Sequence, residues 1–125
     1  MPEYMTQKEA FLKCKRDGKS VIVEQIEIEK IRSTLEIAEG DVESAEILKR
    51  GLPKESKRWN SVLKLYYDAL HETADAFLRF DRVKIDNHQC LFAHLCETHP
   101  ELELSWEFLE KARTKRNGIN YYPDF

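Results

Sequence analysis

The spacing of apolar positions along the chain predicts helices almost throughout. Ile28, Ile31, Leu35, Ala38, Val42, Ala45 and Leu48 recur at steps of three and four residues. That continuous stripe marks a long helix from roughly Glu24 to Arg50, ended by Gly51-Leu52-Pro53. A second long helix, about Lys57 to Asp81, carries two stripes. One is Leu63, Tyr66, Leu70, Ala74 and Phe77; the other is Val62, Ala69, Thr73, Ala76 and Phe80. A helix apolar on two sides belongs between neighbours, so this one is expected at the centre. Asp86 or Asn87 can cap a further helix from His88 to Thr98, stopped before Pro100. Ser105 can cap the last, which runs to about Asn117-Gly118. Near the N-terminus, residues 4–17 read as a short helix ended by Asp17-Gly18. Val21-Ile22-Val23 is β-prone but has no evident partner strand, so it reads as an extended connector.

Short connections favour antiparallel neighbours. The fold class expected is therefore all-α, a four- to five-helix, mostly antiparallel up-and-down bundle. Residues 1–23 form its N-terminal helix and connector and residues 24–125 the bundle, within one domain overall. Composition agrees: 42% of residues are hydrophobic and 34% charged, and four glycines and four prolines leave little material for an all-β fold. No apolar run approaches the ~20 residues that span a bilayer, so no membrane association is expected. Nor do the charges spread through residues 1–16 leave an apolar stretch for a secretory signal. Cys14, Cys90 and Cys96 are odd in number and scattered in spacing. That argues against a disulfide framework and for a reducing, cytoplasmic setting.

A net charge of −3 gives the whole molecule no strong pull on nucleic acid, so any attraction to phosphate must be local. The cluster Lys49, Arg50, Lys54, Lys57 and Arg58 reads as a solvated surface. The cluster Lys111, Arg113, Lys115 and Arg116 is more informative. Steps of about 100° per residue place Trp106, Phe108, Leu109 and Ala112 on one arc of the last helix. Glu107, Glu110, Lys111 and Thr114 fall on the opposite one. Arg116 projects from the middle of the apolar arc, and Arg113 from its edge near Trp106. A guanidinium cannot shed its charge, and burying it unpaired is expensive. Arg116 must therefore line a groove, meet a partner chain or pair with a carboxylate, for which Asp75 and Asp81 are candidates. A helix that frayed before Gly118 would instead release it to water.

His88, Cys90, His94, Cys96 and His99 crowd a short segment. Cys90 and His94 share a helix face, but a structural zinc needs four convergent ligands, and no metal or other cofactor is expected. Glycine-rich phosphate loops and nucleophile motifs are absent from the sequence.

Several segments, in order, resemble the HEPN superfamily, in particular its small prokaryotic stand-alone members. EIAEGDVESAEILKRG is similar to the family's first helix, and LYYDALHETADAFLRF to its second. VKIDNHQCLFAHL resembles the link into the third, with His88 at the family's recurring histidine. KARTKRNGINYYP resembles the signature segment. Together these cover about residues 24–122. The resemblance implies RNA or nucleotide binding at a composite groove between two copies, in a toxin–antitoxin-like context. It also implies metal-independent endoribonuclease activity in active members. Others are non-catalytic modules, some of them the helical partner of a small nucleotidyltransferase. Carried over by position, Arg116 and its polar neighbour Asn117 would hold or polarise phosphate. The place of the active members' histidine is taken by Tyr121. Tyrosine has a pKa near ~10 against ~6.5 for histidine, so it is a poor base at neutral pH. Weak cleavage or none is therefore expected. Arg113, Arg116, His71, His88 and Tyr67 complete the expected binding set. His71 follows Tyr67 by one turn, and His88 shares a face with Leu91 and Leu95. Either imidazole would supply the missing base if it reached Arg116.

Overall fold

A computed structural model describes residues 5–121, with side chains through residue 118. It is an all-α bundle, 70% helical with five α-helices among the described residues, plus a two-stranded ribbon. In chain order these are α1 Gln7–Arg16, β1 Ser20–Ile22, α2 Ile28–Lys49, α3 Trp59–Arg79, β2 Val83–Ile85, α4 His88–Thr98 and α5 Trp106–Tyr121. A 3-10 turn, Pro100–Leu102, joins the last two helices.

Local chemistry sets the boundaries. Thr6 caps α1 by accepting from the Glu9 N–H at 3.2 Å, and Asn87 caps α4 by accepting from the Cys90 N–H at 2.9 Å. Ser105 accepts from the Phe108 N–H at 3.1 Å at the head of α5. Gly18 and Gly51 take positive φ of 64° after α1 and α2, the left-handed geometry that ends a helix at low cost.

The long helix α3 is the hub, packing against α2, α4, α5 and β2, as its two stripes require. The core gathers Tyr67, Ala74 and Leu78 of α3, Leu91, Phe92 and Leu95 of α4, and Trp106 and Leu109 of α5. Trp106 is further fixed by its indole N–H, which donates to the Met5 carbonyl at 2.8 Å.

Three expectations are corrected. Val21 and Ile22 are not a lone connector: β1 pairs antiparallel with β2, Ser20 opposite Ile85 and Ile22 opposite Val83. The partner strand is three residues long and lies in a segment that reads as a link, so neither strand is visible without the other. Next, Cys14 and Cys90 form a disulfide, with Cα atoms 5.7 Å apart. Helix α1 packs along α4 and brings together two cysteines that sequence spacing keeps far apart. Cys96 remains a buried free thiol. The reasoning from cysteine spacing to a reducing compartment does not survive this bond. Last, α5 is rotated from its expected setting. Glu110 is buried to 1% exposure, whereas Phe108 is 63% exposed. Among the described residues, no helix is long and apolar enough to cross a membrane.

His99 fastens the end of α4. Its Nε2 meets Asp81 just beyond α3 and its Nδ1 meets Glu101 at 2.7 Å. These two carboxylates, Asp81 first, raise its pKa above the usual value. A raised folded pKa contributes stability that is complete below the unfolded value of ~6.5 and is lost as pH rises through the folded one. His99→Gln should therefore lower the urea midpoint at about pH 5.5 and have little effect at about pH 8.5. An equal loss at both values would show that the imidazolium contributes nothing.

Candidate functional site

Helices α4 and α5 converge on one side of α3. Tyr67, Asp68 and His71 lie within one turn of it. The cap at Asn87 places His88 as the first residue of α4, with Gln89 beside it. From α5 come Glu110, Arg113 and Arg116, each one turn after the last.

The Tyr67 hydroxyl and His88 Nδ1 share a hydrogen bond of 3.0 Å. The His71 and His88 rings stack with centroids 3.7 Å apart. Arg116 Nη2 donates to Asp68 Oδ1 at 3.4 Å. Arg113 grips Glu110 through two bonds, Nε to Oε1 at 2.9 Å and Nη2 to Oε2 at 3.1 Å. Gln89 Nε2 donates to the same carboxylate at 2.9 Å. Two buried nitrogens, Arg116 Nε and His71 Nε2, have no hydrogen-bond partner among the described residues.

Electrostatics set the protonation states. Burial, and then the neighbouring His88, lower the His71 pKa to about 4. Burial and the Arg116 charge lower that of His88 as well. Both imidazoles are thus held neutral near pH 7, each able to take or give a proton. Tyr67 is pushed up to about 12, chiefly by burial, and stays a phenol. On the α2 side, burial and a hydrogen bond with Asp41 raise Glu72 to about 7.

The structure brings together five of the residues singled out in the sequence: Tyr67, His71, His88, Arg113 and Arg116. Asn117 is exposed on α5 and is not among them. The side chain of Tyr121 lies outside the described residues. Arg116 does not fray, because α5 continues past Gly118 to Tyr121. Its carboxylate is Asp68, neither Asp75 nor Asp81: Asp75 pairs with the buried Arg79 at 3.0 Å, and Asp81 holds His99. Sequence reasoning missed Asp68, Gln89 and Glu110. Asp68 carried a usable signal, since it sits beside Tyr67 and three residues before His71 on a helix expected to be central. Cys90, once a candidate metal ligand, is committed to Cys14.

Chemically, the arrangement offers two guanidinium groups, one of them half-engaged, next to a pair of neutral imidazoles and a phenol. Such a set suits an anion with several acceptor oxygens. Comparison of the chain with protein-family models, with curated proteins and with solved structures gives no match.

Proposed function

We propose that the chain binds RNA or a nucleotide through its phosphate at the Arg116 cluster, in the manner of a HEPN-type protein. The observation that carries this reading is the pair of buried, unpartnered nitrogens on Arg116 and on His71, whose ring stacks on neutral His88. A phosphate oxygen entering the cluster would give Arg116 Nε the acceptor it lacks and compete with Asp68 for the guanidinium. All five groups come from one chain, so the proposal needs no cleft shared between two copies. His71 and His88 also supply what Tyr121 lacks, an unprotonated base at neutral pH. Cleavage, where it occurs, would then be weak, independent of metal and routed through an imidazole.

The test is titration of a labelled single-stranded RNA and of a nucleoside triphosphate, with chelator present. Affinity should fall with rising salt as counterions are released. Arg116→Ala should weaken binding by at least about tenfold, and so should Arg116→Lys, because lysine lacks the planar fork. Asp68→Asn should tighten binding by removing the competing carboxylate. His88→Ala should abolish any RNA cleavage and leave most of the binding. Folded Arg116→Ala protein with unchanged affinity would refute the proposal. So would loss of fold in both Arg116 variants, which would mark its pair with Asp68 as structural.

A further inference from the structure

On the α1 side of α4, away from Arg116, the bond between Cys14 and Cys90 borders a small cleft. Its walls include both cysteines together with Phe11, Lys15, Lys19 and His94. The two cysteines are not equally accessible. Cys90 is 5% exposed and belongs to the core, whereas Cys14 is only partly covered. His94 follows Cys90 by one turn of α4, and its ring lies 5.9 Å from that of Phe11 on α1. The mouth of the cleft is electropositive. Residues 13–19 hold Lys13, Lys15, Arg16 and Lys19 against the single carboxylate of Asp17. Lys15 Nζ sits 5.3 Å from the centre of the Phe11 ring. The third cysteine takes no part: burial raises the Cys96 pKa to about 11, so it stays a thiol. A cross-link kept only for stability needs neither an imidazole nor cations beside it. Exchange uses both, because the sulfur that attacks reacts as a thiolate.

We infer that this bond is a reversible exchange site for small anionic thiols, with Cys14 the sulfur attacked, Cys90 the resolving sulfur and His94 the base that serves it. In the opening step an incoming thiolate bonds to Cys14 Sγ and the bond between the two cysteines breaks. Its electron pair leaves on Cys90, which takes up a proton. A second small thiol that attacks the mixed disulfide completes the two-electron reduction and departs as a small disulfide. In the closing step His94 takes the proton from Cys90, and the Cys90 thiolate attacks Cys14 Sγ. The small thiolate then leaves with the electron pair of the mixed disulfide. Burial, and then the Lys15 charge, lower the His94 pKa, so its ring is free to accept that proton near pH 7. The other charges acting on His94 are Asp81, just beyond α3, and His99, just beyond α4; β2 gives the cleft only the apolar Ile85.

The inference is independent of phosphate binding, because it uses none of the groups around Arg116. The test starts from the folded, oxidised chain in a glutathione redox buffer without denaturant, quenched with acid and mapped by mass. Glutathione should be found on Cys14. Cys90→Ser should accumulate the same adduct, and Cys14→Ser should take up none at Cys90. Once free glutathione is removed, the natural adduct should close its ring. His94→Gln should slow that closure by at least about tenfold at about pH 7. It should change closure little at about pH 9.5, where the thiol ionises unaided. Lys15→Glu with Lys19→Glu, both at exposed positions, should slow opening by glutathione at least about threefold and speed opening by cationic cysteamine. A bond that opens only in denaturant would be purely structural and would overturn the proposal. Glutathione found on Cys90 in the natural chain would reverse the roles of the two sulfurs and overturn the assignment. Equal slowing by His94→Gln at both pH values would mark His94 as packing rather than a base. Opening rates indifferent to the charge of the thiol would remove the preference for anions.

Discussion

Arg113→Met should lower the unfolding free energy by about 3–5 kcal/mol, the usual cost of stripping one partner from a buried ion pair. Glu110 is 1% exposed, in the wall between α5 and α4. Its carboxylate accepts twice from Arg113 and once from Gln89. Methionine would fill much of the space of the arginine stem but leave a buried anion facing a single neutral amide. Changing both residues, Glu110→Leu with Arg113→Met, should recover most of the loss, because two well-packed apolar side chains replace a desolvated pair. Urea denaturation of the three variants decides the matter. A cost below about 1 kcal/mol for Arg113→Met would mean that water reaches Glu110 and that the pair behaves like one on the surface.

The second large effect belongs to the link between Cys14 and Cys90, which closes a loop of 76 residues in sequence separation. Constraining a loop of that length in the unfolded chain corresponds to about 4 kcal/mol in the chain-entropy account. Adding reductant to the natural protein should therefore move its urea midpoint sharply down. Cys14→Ser should reproduce the shift and make it insensitive to reductant. Thiol titration of the unfolded, unreduced chain should count one reactive group, Cys96. A count of three would show that the bond does not form in solution.

The parts of the fold that local chemistry dictates were legible in the sequence. Helix α4 runs from His88 to Thr98 as read, because Asn87 caps it and Pro100 cannot continue it. The central place of α3 followed from its two stripes. What escaped depends on which distant segments meet. Strand β1 needs β2, and Cys14 needs Cys90. The turn before β2 holds Arg82 at φ 62°, a left-handed geometry expected of glycine and kept here by bonds between Arg82 and Val23. Nothing in the residue type announces it.

The candidate site divides the same way. A guanidinium on an apolar arc was readable at Arg116, and so was a histidine one turn after Tyr67. The rotation of α5 was not. Glutamate normally marks the wet face, and only its pairing with Arg113 and Gln89 allows Glu110 inside. The stripe on α2 was read correctly as a pattern. Its full width is simply more than one neighbouring helix can cover.

The cross-link also divides the site by topology. Tyr67, Asp68, His71 and His88 belong to a covalently closed ring that runs from Cys14 through α2 and α3 to Cys90. Arg113 and Arg116 belong to an open arm that leaves the ring at Cys90. Tension applied to the two chain ends is carried across the bond, so the ring bears none of it while the arm straightens. The phenol and imidazoles then stay tethered to one another as the guanidinium groups are drawn away, and on release the arm has a fixed anchor from which to redock.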